Sequence, residues 1–146
     1  MAYTMHLRIN QTGTDFFGVV EQTVFYGNSG TWTNNNGELV LTMGGSGISG
    51  TLRFQSASGD IVLFALGVHN YKRWCDIVTD LQPKDTGMYI HPTYYQDSGV
   101  EGSRNAMLWK QLSKIEKTDA KGNSFSVNFF KEDGNNLWCE INLASA

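Results

Sequence analysis

The stretch I-V-L-F-A-L-G-V-H-N-Y-K-R-W-C-D-I-V-T, residues 61–79, decides the fold of this chain. Its first six residues are all apolar, which is typical of a strand that is buried on both faces. Most side chains in residues 67–79 carry a polar group, a ring or a thiol. A dense set of hydrogen-bonding groups is therefore mounted on the end of a rigid core strand.

That polar set mixes an amide (Asn70), a carboxylate (Asp76), a hydroxyl (Thr79) and the rings of His69 and Tyr71. The mixture suits a polyhydroxylated ligand, whose hydroxyls need paired donors and acceptors and whose C–H faces pack on rings. The other interpretation is a buried polar corner that ties loops together, because buried polar networks are often structural. The residues alone leave both interpretations open.

Apolar and polar residues alternate near both ends of the chain, as at Met5, Leu7 and Ile9 and again in residues 124–129 and 137–143. Period two with one apolar face predicts half-buried antiparallel strands. Turn signals separate the strand patterns at residues 34–37, 58–60, 121–123 and 133–136. With 146 residues and no linker or repeat, the sequence predicts one domain over residues 1–146, a mainly β, antiparallel β-sandwich.

The middle of the chain lacks this alternation and predicts a short helix-loop-helix connection. Residues 83–88 predict a helical turn with Asp80 as its cap, and residues 103–112 predict a helix capped by Ser103. The segment also carries several aromatic residues. We expect these to lie in the core or at a subunit interface rather than on a membrane surface; they are Tyr89, Tyr94, Tyr95 and Trp109.

Residues 42–50 read T-M-G-G-S-G-I-S-G and satisfy the pattern G-x-G-x-x-G. A nucleotide-binding interpretation needs a helix after the glycines, but residues 51–55 predict a strand. The segment predicts instead a glycine-rich hairpin with Ser46 at its tip. Its backbone can approach a ligand closely, and a backbone N–H near Gly47 can hold a ligand oxygen.

Composition and spacing exclude several classes of function. A net charge of −3 with no basic face argues against nucleic acid as a partner. Residues 1–10 lack the apolar core of a signal peptide, so we expect a cytoplasmic protein whose Cys75 and Cys139 are free, buried thiols. The three histidines are scattered, which predicts no metal site. We find no catalytic arrangement and expect no cofactor.

Residues 42–54 and 67–79 together closely resemble the fungal fruit-body lectins, a family of β-sandwich lectins with an actinoporin-like fold. The segment H-N-Y-K-R-W-C-D-I-V-T, residues 69–79, is a highly specific signal. Shorter matches follow the family pattern in order along essentially the whole chain, at residues 3–4, 11–12, 20–21, 30–32, 94–95, 111–113, 120–122 and 136–137.

The resemblance implies a non-enzymatic, metal-free homotetramer with two sugar sites per subunit and a role in defence. It implies partners that are glycans and glycoproteins, with membranes met only through glycoconjugates. One site takes Galβ1-3GalNAc, the core disaccharide of O-glycans known as the T antigen. By resemblance its contacts are Ser46, Gly47 and Asn70 beside the loop at Gly27 and Asn28, with a wall formed by His69 and Tyr71.

The second implied site takes N-acetylglucosamine and uses Asp76, Ile77 and Thr79, together with an Arg and a Tyr from a later segment. Aligning this chain with the family pattern places Leu108 at the Arg and Ile115 at the Tyr. We therefore expect a weakened or altered second site, to which Arg104 can restore part of the binding.

The alternative function is that of an actinoporin-like membrane-binding or pore-forming protein. Such a protein needs an amphipathic N-terminal segment that can insert and an exposed aromatic patch. Residues 1–10 have the period of a strand rather than of a helix, which counts against this alternative.

Overall fold

The computed structural model describes residues 2–26, 29–96 and 102–146, which form two packed β-sheets with helices on the outer face of one of them. The six-stranded sheet has the order β3-β4-β1-β10-β9-β8, and the four-stranded sheet has the order β2-β5-β6-β7. The strands are β1 (Tyr3–Thr12), β2 (Phe17–Phe25), β3 (Gly30–Asn35), β4 (Glu38–Met43), β5 (Ser49–Ser56), β6 (Ile61–His69), β7 (Lys72–Val78), β8 (Lys114–Thr118), β9 (Ser124–Lys131) and β10 (Asn136–Ala144).

The alternating patterns near the chain ends become β1, β9 and β10, as predicted. Their apolar side chains, such as those of Met5, Val127 and Ile141, are fully buried between the sheets. The predicted turns join β3 to β4, β5 to β6, β8 to β9 and β9 to β10. The mainly β, two-sheet fold expected from the sequence is therefore confirmed.

One pairing departs from the expected antiparallel arrangement, because β1 and β10 run parallel, with Leu7 opposite Cys139. The last strand enters the middle of the sheet between β1 and β9 instead of adding to an edge. Alternation reports which face of a strand is buried but carries no information on the direction of its neighbour. The six-stranded sheet is therefore mixed.

Strand β6 is buried on both faces, as its apolar run predicts, and each face meets a different partner. Phe64 and Leu66 belong to the main core between the sheets. Leu63 and Ala65 face outward into a second cluster that the helices cover, and Trp74 of β7 joins them there. A fixed strand with two packed faces is the element on which the neighbouring polar residues are mounted.

The helical connection exists, but its elements begin elsewhere than predicted. Helix α1 spans Gly87–Ile90 and is capped by Thr86, whose side chain accepts a hydrogen bond from the backbone N–H of Tyr89. Asp80 does not cap it and instead accepts from the backbone N–H of Ala120 at 2.9 Å. A 3-10 helix follows directly at His91–Tyr95.

Helix α2 spans Gly102–Lys110. Ser103 therefore lies inside its first turn and does not occupy the predicted cap position. Of the four aromatic residues in this connection, Tyr94 is fully buried, Tyr95 is partly buried, and Tyr89 and Trp109 are exposed.

The glycine-rich segment does not form the predicted hairpin. Strand β4 belongs to the six-stranded sheet and β5 to the four-stranded sheet, so residues 44–48 cross from one sheet to the other. At the end of the crossing, the Ile48 carbonyl accepts a hydrogen bond from the N–H of Val68 at 3.0 Å. This contact lays the crossing against the end of β6, where the candidate site begins.

Candidate functional site

Asn70 and Tyr71 form the two-residue turn between β6 and β7, and the flanking residues His69 and Lys72 pair across it. Both turn residues have positive φ angles, 50° at Asn70 and 67° at Tyr71. Two such residues make the turn type that matches the twist of paired strands. Asparagine tolerates this conformation, whereas a bulky tyrosine does so at a cost. Strain of this kind is concentrated at functional sites, and the Tyr71 ring is 76% exposed.

The glycine-rich crossing holds this turn in place. The Ser46 hydroxyl oxygen accepts a hydrogen bond from the backbone N–H of Tyr71 at 3.0 Å. Its own O–H remains able to donate to a ligand. Ser46, Gly47, Asn70 and Tyr71 are thus brought to one end of the four-stranded sheet, beside a half-buried His69.

A backbone N–H near Ser46 and Gly47 is expected to hold a ligand oxygen, and the structure already engages that of Gly47. Its N–H already donates to the carbonyl of Val68 at 2.8 Å, so it is not available to a ligand oxygen. Gly47 has a φ of 93°, and nothing lies within 4 Å of the position that a Cβ would occupy. What this glycine offers is open space next to the Ser46 hydroxyl.

His69 and Trp109 form a ring pair beside the turn, with centroids 4.4 Å apart and planes at 86°. The Nε2 atom of His69 is buried without a hydrogen-bond partner among the described residues, and burial lowers the pKa of the ring. Trp109 is 60% exposed and was missed as a site residue. Trp109 reaches this position because α2 lies over this end of the sheet. The sequence carries no signal for where α2 packs.

Gly27 and Asn28 lie outside the described residues, but the chain on either side of them is described. The N–H of Ser29 donates to Tyr26 at 2.9 Å, and the N–H of Gly44 donates to Ser29 at 2.8 Å. Ser29, which directly follows the two predicted contacts, therefore lies against the glycine-rich crossing.

A second concave site lies between the end of β7, helix α2 and strand β8, with a volume of about 440 Å³. The predicted residues Asp76, Ile77, Thr79 and Arg104 all line it. Its residues on β7 begin with Asp76, four residues past the start of that strand at Lys72, which corresponds to about 13 Å of extended strand. The two candidate sites are therefore separate.

The lining of the second site also includes Met107, Lys110 and Lys117.

Asp76 is the buried polar group of this second pocket. Its Oδ2 accepts a hydrogen bond from the Tyr94 hydroxyl at 2.7 Å. Burial first, and then the charge of Asp76, raise the pKa of Tyr94 well above its usual value. Lys117 lies 3.5 Å from Asp76 Oδ1, but this contact is not a hydrogen bond, and Oδ1 has no hydrogen-bond partner in the described part of the chain.

The two residues that the family alignment placed at this site do not line it. Leu108 of α2 is 1% exposed and packs in the second core cluster. Ile115 lies on β8 and packs against the main core. The helix presents Arg104, Met107 and Lys110 to the pocket instead, because residues three apart lie on neighbouring parts of one helix face. Lys110 and Lys117 were not predicted from the sequence.

Ser49 and His91 are joined in a buried network that resembles a catalytic pair. His91 Nε2 lies 2.7 Å from the Ser49 hydroxyl, and His91 Nδ1 lies 2.7 Å from the Thr23 hydroxyl. The Tyr95 hydroxyl lies 2.6 Å from Ser49. Ser49 is fully buried and His91 is 2% exposed, so no substrate reaches them. A hydroxyl, not a carboxylate, contacts Nδ1, and the network ties the 3-10 helix to β2 and β5.

The cysteines are free and buried, as predicted. Burial raises the pKa of Cys75 to about 12 and that of Cys139 well above its usual value, so neither is an activated nucleophile. Among residues 2–26, 29–96 and 102–146, no three His, Cys, Asp or Glu side chains are grouped so that they could hold a metal ion.

Comparison with known proteins agrees with this fold. Residues 1–141 match the family described as fungal fruit body lectin. The lectin of Boletus edulis is 47% identical over 144 residues, which cover 97% of this chain and 98% of that protein. The wild-type lectin of Xerocomus chrysenteron superposes with a TM-score of 0.91 at 43% identity, covering 98% of this chain and 99% of that one. A substituted variant of the same lectin gives 0.92 and 44%, covering 98% of each chain.

The chain therefore belongs to the fungal fruit body lectin family, and it is a carbohydrate-binding protein of that class.

Proposed function

We propose that this lectin recognises terminal Galβ1-3GalNAc of O-glycans at the β6–β7 turn, without catalysis. The observation that carries the proposal is the contact between the Ser46 hydroxyl and the backbone N–H of Tyr71. It joins two separate parts of the chain into one polar surface with an exposed ring. The Asn70 side chain is exposed there, and its amide can both donate and accept. A galactosyl unit offers hydroxyls to the amide and a C–H face to the ring.

Replacing Asn70 by Ala tests the proposal. Removing one hydrogen-bonding partner from a site that a ligand desolvates costs about 1–3 kcal/mol. We therefore expect the affinity for the disaccharide, measured by titration calorimetry, to fall about tenfold or more. An affinity within about threefold of the unmodified protein would show that Asn70 does not contact the sugar.

Asn36→Ala is the matched control. Asn36 is also an exposed asparagine with a positive φ, 55°, in the turn between β3 and β4. Both substitutions place alanine in the same unfavourable backbone conformation, so they share any cost in stability. Only Asn70→Ala is expected to weaken binding of the disaccharide.

The second pocket is proposed as a second sugar site at which N-acetylglucosamine binds weakly. Asp76, Thr79 and Arg104 supply an acceptor, a hydroxyl and a donor. The described residues that line the pocket include no aromatic ring on which a sugar face could stack. Hydrogen bonds without a stacking surface favour weak binding.

The proposed assembly is a homotetramer in the cytoplasm, with a role in defence. Several sites on one particle raise avidity by about 10²–10⁴ without any new contact, and closed symmetry is the common route to such particles. We expect light scattering at micromolar protein concentration to give about four times the chain mass. A mass equal to that of one chain would contradict this.

Bilayer insertion by the N-terminal segment finds no support. Residues Tyr3–Thr12 form β1, which pairs with both β4 and β10 inside the six-stranded sheet. Releasing them would break two ladders of hydrogen bonds. None of the described helices has both the length and the apolar character needed to cross a membrane.

A further inference from the structure

Among the described residues that line the second pocket, positive charges outnumber negative ones. Three cationic side chains line it, Arg104 and Lys110 from α2 and Lys117 from β8. They face one carboxylate among the described lining residues, that of Asp76. A concave surface with an excess of one charge attracts ligands of the opposite charge.

Lys117 and Asp76 offset each other. Their charged atoms lie 3.5 Å apart, and the Lys117 ammonium also donates to the backbone carbonyl of Ile77 at 2.6 Å. This leaves the charges of Arg104 and Lys110. Arg104 donates to the neutral hydroxyl of Thr93 at 3.0 Å. The ion pairs found within the described ranges involve other side chains, those of His6, Arg53, Arg73, Lys117 and Lys121.

Asp76 adds a second requirement. It is 3% exposed, and its Oδ1 atom lacks a hydrogen-bond donor among the described residues. Buried acceptors of this kind are normally paired, and the Lys117 ammonium at 3.5 Å offsets its charge without a hydrogen bond, so a ligand in the pocket gains from bringing an O–H or N–H group to Oδ1. A simple anion such as sulfate carries no such donor and would face the carboxylate unfavourably.

We infer that this pocket binds an anionic saccharide, a pyranose that carries a sulfate, phosphate or carboxylate group. A hydroxyl or amide N–H of the sugar donates to Asp76 Oδ1, and the anionic group lies toward Arg104 and Lys110. Charge-assisted hydrogen bonds to guanidinium and ammonium groups are stronger than those between neutral groups. This inference rests on the proposed second sugar site and names its class of ligand.

The test compares four probes by calorimetry in the Asn70→Ala background, in which the first site is expected to bind at least about tenfold more weakly. They are N-acetylglucosamine, its 6-sulfate, its 6-phosphate and glucuronic acid. The last three carry a sulfate, a phosphate and a carboxylate, so the experiment compares the three kinds of anionic group. At low ionic strength we expect at least one anionic sugar to bind about fivefold or more tightly than N-acetylglucosamine. The advantage should shrink as salt is added, because the cations are partly exposed.

Lys110→Gln is the decisive variant, because Lys110 is exposed and its loss leaves the core intact. It should remove most of the preference for the anionic sugar, measured as the ratio of its affinity to that of N-acetylglucosamine. Lys84→Gln is the matched control, since Lys84 is exposed and does not line the pocket. Equal losses in the two variants would mean that only the net charge of the protein matters, and would overturn the inference.

The outcomes also separate this inference from the proposed function. If no anionic sugar binds more tightly than N-acetylglucosamine, or if none of the four probes binds, the inference is wrong, whatever the first site does. Binding of Galβ1-3GalNAc to the unmodified protein is measured independently and depends on Asn70. If only the anionic sugars bind, the inference stands and weak N-acetylglucosamine binding is discarded.

Discussion

Lowering the pH from 7 to 4 is expected to reduce the free energy of unfolding by about 3 kcal/mol through His91 alone. Burial lowers the pKa of His91 from 6.5 to about 4. Below pH 6.5 the unfolded chain therefore binds a proton that the folded protein excludes. The contribution of His91 is complete above pH 6.5 and is lost as the pH falls to about 4. Urea unfolding at both pH values, at one fixed protein concentration, measures the loss.

His91→Gln separates this contribution from that of the carboxylates, which both proteins share. Its amide can both donate and accept toward the Ser49 and Thr23 hydroxyls but does not titrate. Its loss of stability between pH 7 and 4 should be smaller by about 3 kcal/mol. Thr23→Val is the control, because it removes a hydrogen bond of the network and keeps the buried imidazole, so its acid loss should match that of the unmodified protein. Equal losses in all three proteins would contradict the assignment to His91.

The strands could be predicted wherever burial of one or both faces leaves a recognisable pattern of apolar residues in the sequence. Residues 61–66 are apolar without interruption because both faces of β6 are covered, and residues such as Leu7 alternate with polar neighbours because one face of β1 is covered. The same periodicity fits a parallel or an antiparallel neighbour, and a glycine-rich crossing looks locally like a hairpin. The β1–β10 pairing and the path of residues 44–48 depend on the whole sheet and could not be predicted from the sequence.

The beginning of α1 shows how tertiary contacts decide between equivalent local signals. Asp80 and Thr86 are both good cap residues, and the sequence does not rank them. The Glu21 carboxylate on β2 accepts from the N–H groups of Gly87 at 2.6 Å and Met88 at 3.1 Å. These bonds satisfy orphan donors of the first turn and fix the helix beside β2.

The first candidate site was easier to predict than the second. Asn70 and Tyr71 are contiguous, and the strand pairing holds them at one tip. The second pocket combines the end of β7 with side chains from α2 and β8. Lys117 is remote in sequence from Asp76 and carries no motif. Alignment alone moved Leu108 into the pocket, whereas the structure buries it in the second core cluster and it does not line the pocket.

Replacing Gly67 by Ala is expected to lower the free energy of unfolding by about 3 kcal/mol or more, the upper part of the range for overpacking. A Cβ at Gly67 would lie 2.7 Å from the Ile48 carbonyl oxygen and 2.8 Å from the Ser49 Cα, and it would overlap the Ser49 Cβ. Backbone atoms cannot swing aside as the end of a flexible side chain can, so β5 and β6 must separate. Urea unfolding measures the loss.

The same substitution should also disturb the first sugar site, because Ile48 is the last residue of the crossing that holds Ser46 against Tyr71, and Ser49 begins the strand that follows it. Weaker binding of Galβ1-3GalNAc is therefore expected together with the loss of stability. Gly18→Ala is the matched control: Gly18 lies in β2, and the nearest heavy atom to its added Cβ would be 4.0 Å away, on the Phe16 ring. A strand glycine with room for a methyl group should change the free energy of unfolding by no more than about 0.5 kcal/mol. If Gly67→Ala were as stable as Gly18→Ala, the close approach of β6 to the crossing would not limit this fold.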